Sequence, residues 1–168
     1  GMYQAYVRRG FSVLRFNFRG VGRSQAKFDN GQGELSDAAA ALDWMQGHNP
    51  NASGCWIAGY SFGAWIGMQL MMRRPEISGF VSVSPPASTQ DFSFLAPCPS
   101  SGIIIHGDAD DIVPISSVEK LVQKLSSQKN IVIDYRVIKG ANHFYGDQLP
   151  ELNGYVADYL DQWLEKVA

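Results

Sequence analysis

Three residue types set far apart in the chain could together break an acyl bond. Ser61 stands in GYSFG between Gly59 and Gly63, where an apolar run stops and a helical run begins. A strand that turns sharply into a helix strains the residue at the turn and presents its side chain to solvent. A serine hydroxyl is a weak nucleophile at neutral pH, and an imidazole within hydrogen-bond reach removes its proton during attack. A carboxylate on the other ring nitrogen then fixes the tautomer and stabilises the imidazolium. The chain offers carboxylates at Asp108, Asp110 and Asp111 in HGDADDIVP and an imidazole at His143 in GANHF, in the order Ser, Asp, His. The backbone N–H of Phe62, at the start of a helix, is the candidate donor to the negative oxygen of a tetrahedral intermediate.

Each of these residues also has a purely structural reading. Ser61 could be a small residue at a tight turn, and DADD could be turn and helix-cap residues, capping being the better reading for Asp108 and Asp111. A calcium-loop reading of DADD fails because the loop glycine and distal glutamate are missing, so no metal site is expected. Arg19 and Arg23 could meet an anionic substrate or form a structural salt bridge. Met68, Met71 and Met72 read as core filling.

Alternating strands and helices position these groups. FSVLRFNF (11–18), residues 55–59, GFVSVS (79–84), GIIIHG (102–107) and NIVIDYRVI (130–138) read as strands. MYQAYVRRG reads as the closing turns of a helix stopped by Gly10, and helices are expected over 33–48, 62–74, 114–128 and 149–167. This pattern predicts a three-layer αβα sandwich around a mostly parallel sheet of about five strands, in one domain spanning 1–168. In such a sheet ligands bind beyond the carboxyl ends of the strands, and Ser61, the aspartates and His143 each follow a strand end.

The 168 residues are 45% hydrophobic, with fourteen basic and sixteen acidic side chains for a net charge of −2. No long run of either sign suggests a nucleic-acid surface or a polybasic anchor, and no apolar run is long enough to span a membrane. Cys55 and Cys98 form neither a disulfide framework nor a metal-ligand spacing. A soluble, cytoplasmic protein with reduced thiols and no nucleic-acid or membrane partner is expected.

The motifs together resemble the α/β-hydrolases. GYSFG matches the family's nucleophile elbow, HGDADDIVP the segment around its catalytic acid and GANHF the segment around its catalytic histidine. RFNFRGVGRSQ resembles the segment after the family's fourth strand, and the likeness, closest to small, lidless, dienelactone-hydrolase-like or acyl-esterase-like members, covers nearly the whole chain. The resemblance implies Ser61 as nucleophile, Asp110 as acid and His143 as base. His48 precedes the serine and His106 precedes the acid, so neither fits the chain order.

The expected activity is that of a serine hydrolase of carboxylesterase or acyl-hydrolase type, forming an acyl-enzyme and needing no cofactor. Its small acyl substrate would lie against Tyr60, Phe62, Pro85, Pro86, Phe92, Phe94, Val113, Phe144 and Tyr145. The rival is a catalytically weak or inactive binding module of the same fold. Family members normally begin with three further strands, and the loop after the third supplies a second oxyanion donor; here MYQAYVRRG resembles the end of the helix that follows that loop. The usual third strand also lies between those matching FSVLRFNF and CWIAG, so its absence leaves a gap or forces the two to pair. The resemblance thus implies an N-terminally truncated member, whose open strand edges are covered by a homo-oligomer or by an upstream segment.

Overall fold

Apolar residues at two spacings build two kinds of element. The computed structural model describes residues 1–168. Its helices are α1 (Met2–Val7), α2 (Gln32–His48), α3 (Phe62–Arg73), α4 (Ile115–Ser126) and α5 (Leu149–Val167). Its strands are β1 (Cys55–Tyr60), β2 (Ile77–Val83), β3 (Gly102–Gly107) and β4 (Ile133–Ile138). All four strands pair in parallel in the order β1-β2-β3-β4.

Side chains alternate across a strand, and β3 makes the consequence plain. Ile104 joins one core while Ile103 and Ile105 join the other, all three without exposure to solvent. Each such burial contributes about 1.5–3 kcal/mol. On the first face α2, α3 and α4 supply Leu35, Ile66, Met68, Leu70, Met71, Val118, Leu121 and Leu125. On the other, α1 supplies Ala5 and Tyr6, and α5 supplies Leu152, Val156 and Leu160 at a four-residue spacing. An Arg9–Asp161 pair with bonds of 2.6 and 2.8 Å ties the turn after α1 to α5. No helix is long and apolar enough to cross a membrane.

The ladder continues by one bond past each strand pair. Ser61 N–H donates to the Val83 carbonyl at 2.8 Å, Ser84 N–H to Ile105 at 2.9 Å and Asp108 N–H to Ile138 at 3.3 Å.

The sheet has four strands where the sequence predicts about five. Residues 11–18 belong to no ladder, and β1 pairs only with β2. Strand propensity alone cannot make a strand, because each backbone group needs a partner on an adjacent segment. The segment keeps strand-like alternation without those bonds: Phe11 and Val13 pack toward the α1/α5 core, and Phe18 toward the opposite one. Leu14 and Phe16 remain exposed. Gly10 ends the first helix as expected, with φ +83°.

Candidate active site

The turn from β1 into α3 is set by one glycine rather than two. A Cβ on Gly59 would overlap the backbone of Gly63 and Ala64, whereas a Cβ on Gly63 would meet only the Phe18 ring, at 4.0 Å. The backbone at Ser61 takes φ 52°, ψ −118°, a conformation that L-residues seldom adopt. Phe62 opens α3, so its N–H has no intrahelical carbonyl to bind and is free to serve a ligand.

The turn after β3 carries the carboxylate. A Cβ on Gly107 would overlap the Ala141 carbonyl, so glycine lets this turn approach the loop after β4. Asp110 Oδ1 accepts the N–H groups of Ile112 at 2.9 Å and Val113 at 2.7 Å. Its Oδ2 accepts His143 Nδ1–H at 2.7 Å. Since a carboxylate only accepts, the ring proton sits on Nδ1 and leaves Nε2 bare. That nitrogen accepts Ser61 Oγ–H at 2.9 Å. The Asp110 and His143 side chains are almost wholly shielded from water. Thus Ser61, His143 and Asp110 form a continuous hydrogen-bonded chain.

Tyr60 fixes the loop that carries the imidazole. Its hydroxyl donates to the His143 carbonyl at 2.8 Å, and burial together with the Asp110 charge raises its pKa. Phe144 is exposed and meets the imidazole edge-on at 5.4 Å. Tyr145 turns the other way, at φ +65°, and its buried hydroxyl exchanges a 2.7 Å hydrogen bond with Ser84.

The other polar candidates have different partners. His106 is fully buried, its Nε2–H donates to the Val113 carbonyl at 2.8 Å, and its Nδ1 has no partner. Burial lowers its pKa, as it penalises the charged ring. His48 lies at the end of α2, stacked on Trp44 and bonded to its carbonyl. Asp108 accepts Gly140 N–H at 2.6 Å and Asp111 is exposed, while the cap of α4 is Pro114 with no side-chain bond; neither aspartate caps that helix. Arg19 pairs with Asp37 at 2.9 Å, the structural alternative for that residue.

The expected pocket residues divide. Tyr60 and Phe144 stand at the imidazole. Val113 and Phe92 are core residues at 2% and 8% exposure, Pro85, Pro86 and Tyr145 are also buried, and Phe94 is half-buried and stacks on Phe92 at 6.0 Å. Strand ends direct attention to the right loops, but packing against α3 and α4 turns several of these side chains inward. Nothing in the spacing points to a row of rings that starts at Phe62 and includes Phe18, Phe28 and Trp65. The one available signal is Phe28, an aromatic residue set in the polar loop SQAKFDNGQG.

A parallel sheet covered on both faces, with a serine elbow, a carboxylate and a histidine at successive strand ends, defines the α/β-hydrolase class. The comparisons agree. Residues 2–101 match the serine aminopeptidase S33 family model, and residues 80–167 match the prolyl oligopeptidase family model. The chain belongs to the α/β-hydrolase superfamily, and its class of chemistry is hydrolysis. An Agrobacterium tumefaciens protein of unknown function ascribed to the α/β-hydrolases is 59% identical, with a TM-score of 0.96, over 98% of this chain and 76% of that one. A Xanthomonas campestris α/β serine hydrolase without a lid is 32% identical, with a TM-score of 0.87, over 96% of this chain and 71% of that one. An uncharacterized protein of Rickettsia prowazekii is 56% identical in an alignment 162 positions long that covers 94% of this chain and 68% of the relative.

Proposed function

We propose that the chain is a serine hydrolase that cleaves a carboxylic ester or related acyl compound through an acyl-enzyme. The observation that carries this reading is the pair of bonds from Ser61 to His143 at 2.9 Å and from His143 to Asp110 at 2.7 Å. Ser61 Oγ attacks the carbonyl carbon as its proton passes to His143 Nε2, and Asp110 stabilises the imidazolium. The negative oxygen lies at the Phe62 N–H. On collapse the carbonyl–alkoxy bond breaks, His143 gives its proton to the departing alcohol, and the acyl group stays on Ser61. Water then attacks, again losing its proton to His143. The bond between the acyl carbon and Ser61 Oγ then breaks, His143 returns the proton to Oγ, and the acid leaves.

The test compares the chain with Ser61→Ala, using a fluorophosphonate probe and 4-nitrophenyl acetate. Stoichiometric labelling at Ser61 alone, with turnover abolished by the substitution, is expected. An unlabelled and inactive wild-type chain would turn the reading toward a ligand-binding module.

A further inference from the structure

The rings beside Ser61 form two separate groups. One surrounds the imidazole, with Tyr60 and Phe144 each 5.4 Å from His143. The other begins on the residue after the serine: Phe62 lies 5.7 Å from Phe18, 5.7 Å from Phe28 and 5.8 Å from Trp65. No ring of one group pairs with a ring of the other.

Phe28 is 64% exposed, yet its loop is firmly tied. The next residue, Asp29, donates its N–H to both oxygens of Glu34, at 3.0 and 3.2 Å, and Glu34 is completely buried. The Trp65 ring fills the space that a Cβ on Gly31 would need, and Arg19 joins the start of the loop to Asp37 on α2. A solvent-facing phenylalanine on a rigid support, one ring from the residue after the serine, leaves apolar surface where a ligand can cover it.

The chemistry assigns a side to each half of an ester. The alcohol oxygen receives its proton from His143 Nε2, so the leaving group lies along the imidazole, Tyr60 and Phe144. The acyl substituent projects from the opposite side of the carbonyl carbon, away from the imidazole. The rings that do not meet the imidazole are those of the Phe62 row, and they begin on the residue whose N–H faces the carbonyl oxygen. We propose that Phe18, Phe28, Phe62 and Trp65 form an acyl subsite for an aromatic group, which makes esters of arylalkyl carboxylic acids the substrate class. This inference rests on the reading of Ser61 as nucleophile.

Three 4-nitrophenyl esters with one leaving group test it: the acetate, the 3-phenylpropanoate and the 3-cyclohexylpropanoate. The phenylpropanoate is expected to exceed the acetate in kcat/KM by about tenfold, the size of one good aromatic contact, and to exceed the cyclohexyl ester. Phe28→Ala should lower the phenylpropanoate-to-acetate ratio by roughly that factor. Val132→Ala, at an exposed position just before β4, should leave the ratio unchanged. Turnover of the acetate without a preference for the phenyl ester, or an unchanged ratio in Phe28→Ala, would overturn the subsite and leave the hydrolase reading standing. Equal rates for the phenyl and cyclohexyl esters would overturn its aromatic character. Failure of the wild-type chain to turn over any of the three would overturn both.

Discussion

Replacing Asp110 by asparagine removes one charge and almost no volume, and the geometry around Oδ1 determines how the new side chain sits. Two backbone N–H groups point at that oxygen, from 2.7 and 2.9 Å. An asparagine keeps its carbonyl there, because turning its NH2 toward two donors would leave both unmet at ~1–3 kcal/mol each. The NH2 therefore faces His143 Nδ1, which must accept, and the ring proton moves to Nε2. That nitrogen then cannot take the Ser61 proton, and the imidazolium has lost its counter-charge. A fall in kcat of about 10⁴, equivalent to roughly 5.5 kcal/mol, is expected. Asp108→Asn keeps an oxygen for Gly140 N–H, and Asp111 is exposed, so both asparagine variants should stay within about threefold of wild type. Initial rates of 4-nitrophenyl acetate hydrolysis, with melting curves to establish folding, decide the matter. A folded Asp110→Asn protein within tenfold of wild type would refute the reasoning, as would equal losses at Asp108.

Three further outcomes are expected. Ser61→Gly should relieve the strained backbone, worth ~1–3 kcal/mol, at an entropic cost of roughly 0.5–1, and so raise the urea midpoint while abolishing activity; if Ser61→Ala rises equally, strain is not the cause. Tyr60→Phe keeps the ring along which the leaving group lies, loses only the bond to the His143 carbonyl, and should lower kcat by about three- to tenfold at constant KM; a rise in KM alone would mean that the Tyr60 hydroxyl binds the substrate instead. His106 is held neutral by burial, so the unfolded chain takes up a proton that the folded chain resists. Its contribution to stability is present at neutral pH and is lost as pH falls below about 6.5, with a slope of at most about 1.4 kcal/mol per unit. Urea midpoints at about pH 7 and pH 5 should therefore differ less in His106→Gln than in wild type, and an unchanged difference would remove His106 as the source.

Much of the site can be read in the chain because each triad candidate follows an element with a strong local signature. GIIIHG is too apolar to lie anywhere but the sheet centre, and the four-residue spacing of Leu152, Val156 and Leu160 fixes the last helix over Leu149–Val167. FSVLRFNF has the same local character, but a strand is a property of two paired segments, and no neighbour is encoded within these eight residues. Phe92 and Val113 miss for a related reason: proximity to a strand end gives a location, while burial depends on what packs above it. The Phe28 loop is further from reach still. Its course depends on Glu34 and on the Arg19–Asp37 pair, contacts that no short pattern announces.

The extra rungs at Ser61, Ser84 and Asp108 have a bearing on how the protein fails. Each is the last bond of its ladder, and two of them belong to the serine itself and to the turn that bears the carboxylate. The ends of ladders open first, on local excursions that leave the middle of a sheet intact. Amide exchange at these three positions thus measures a breathing motion of the machinery that the stability of the whole chain does not report. On warming, such a molecule is expected to lose activity while its three isoleucines are still packed in place.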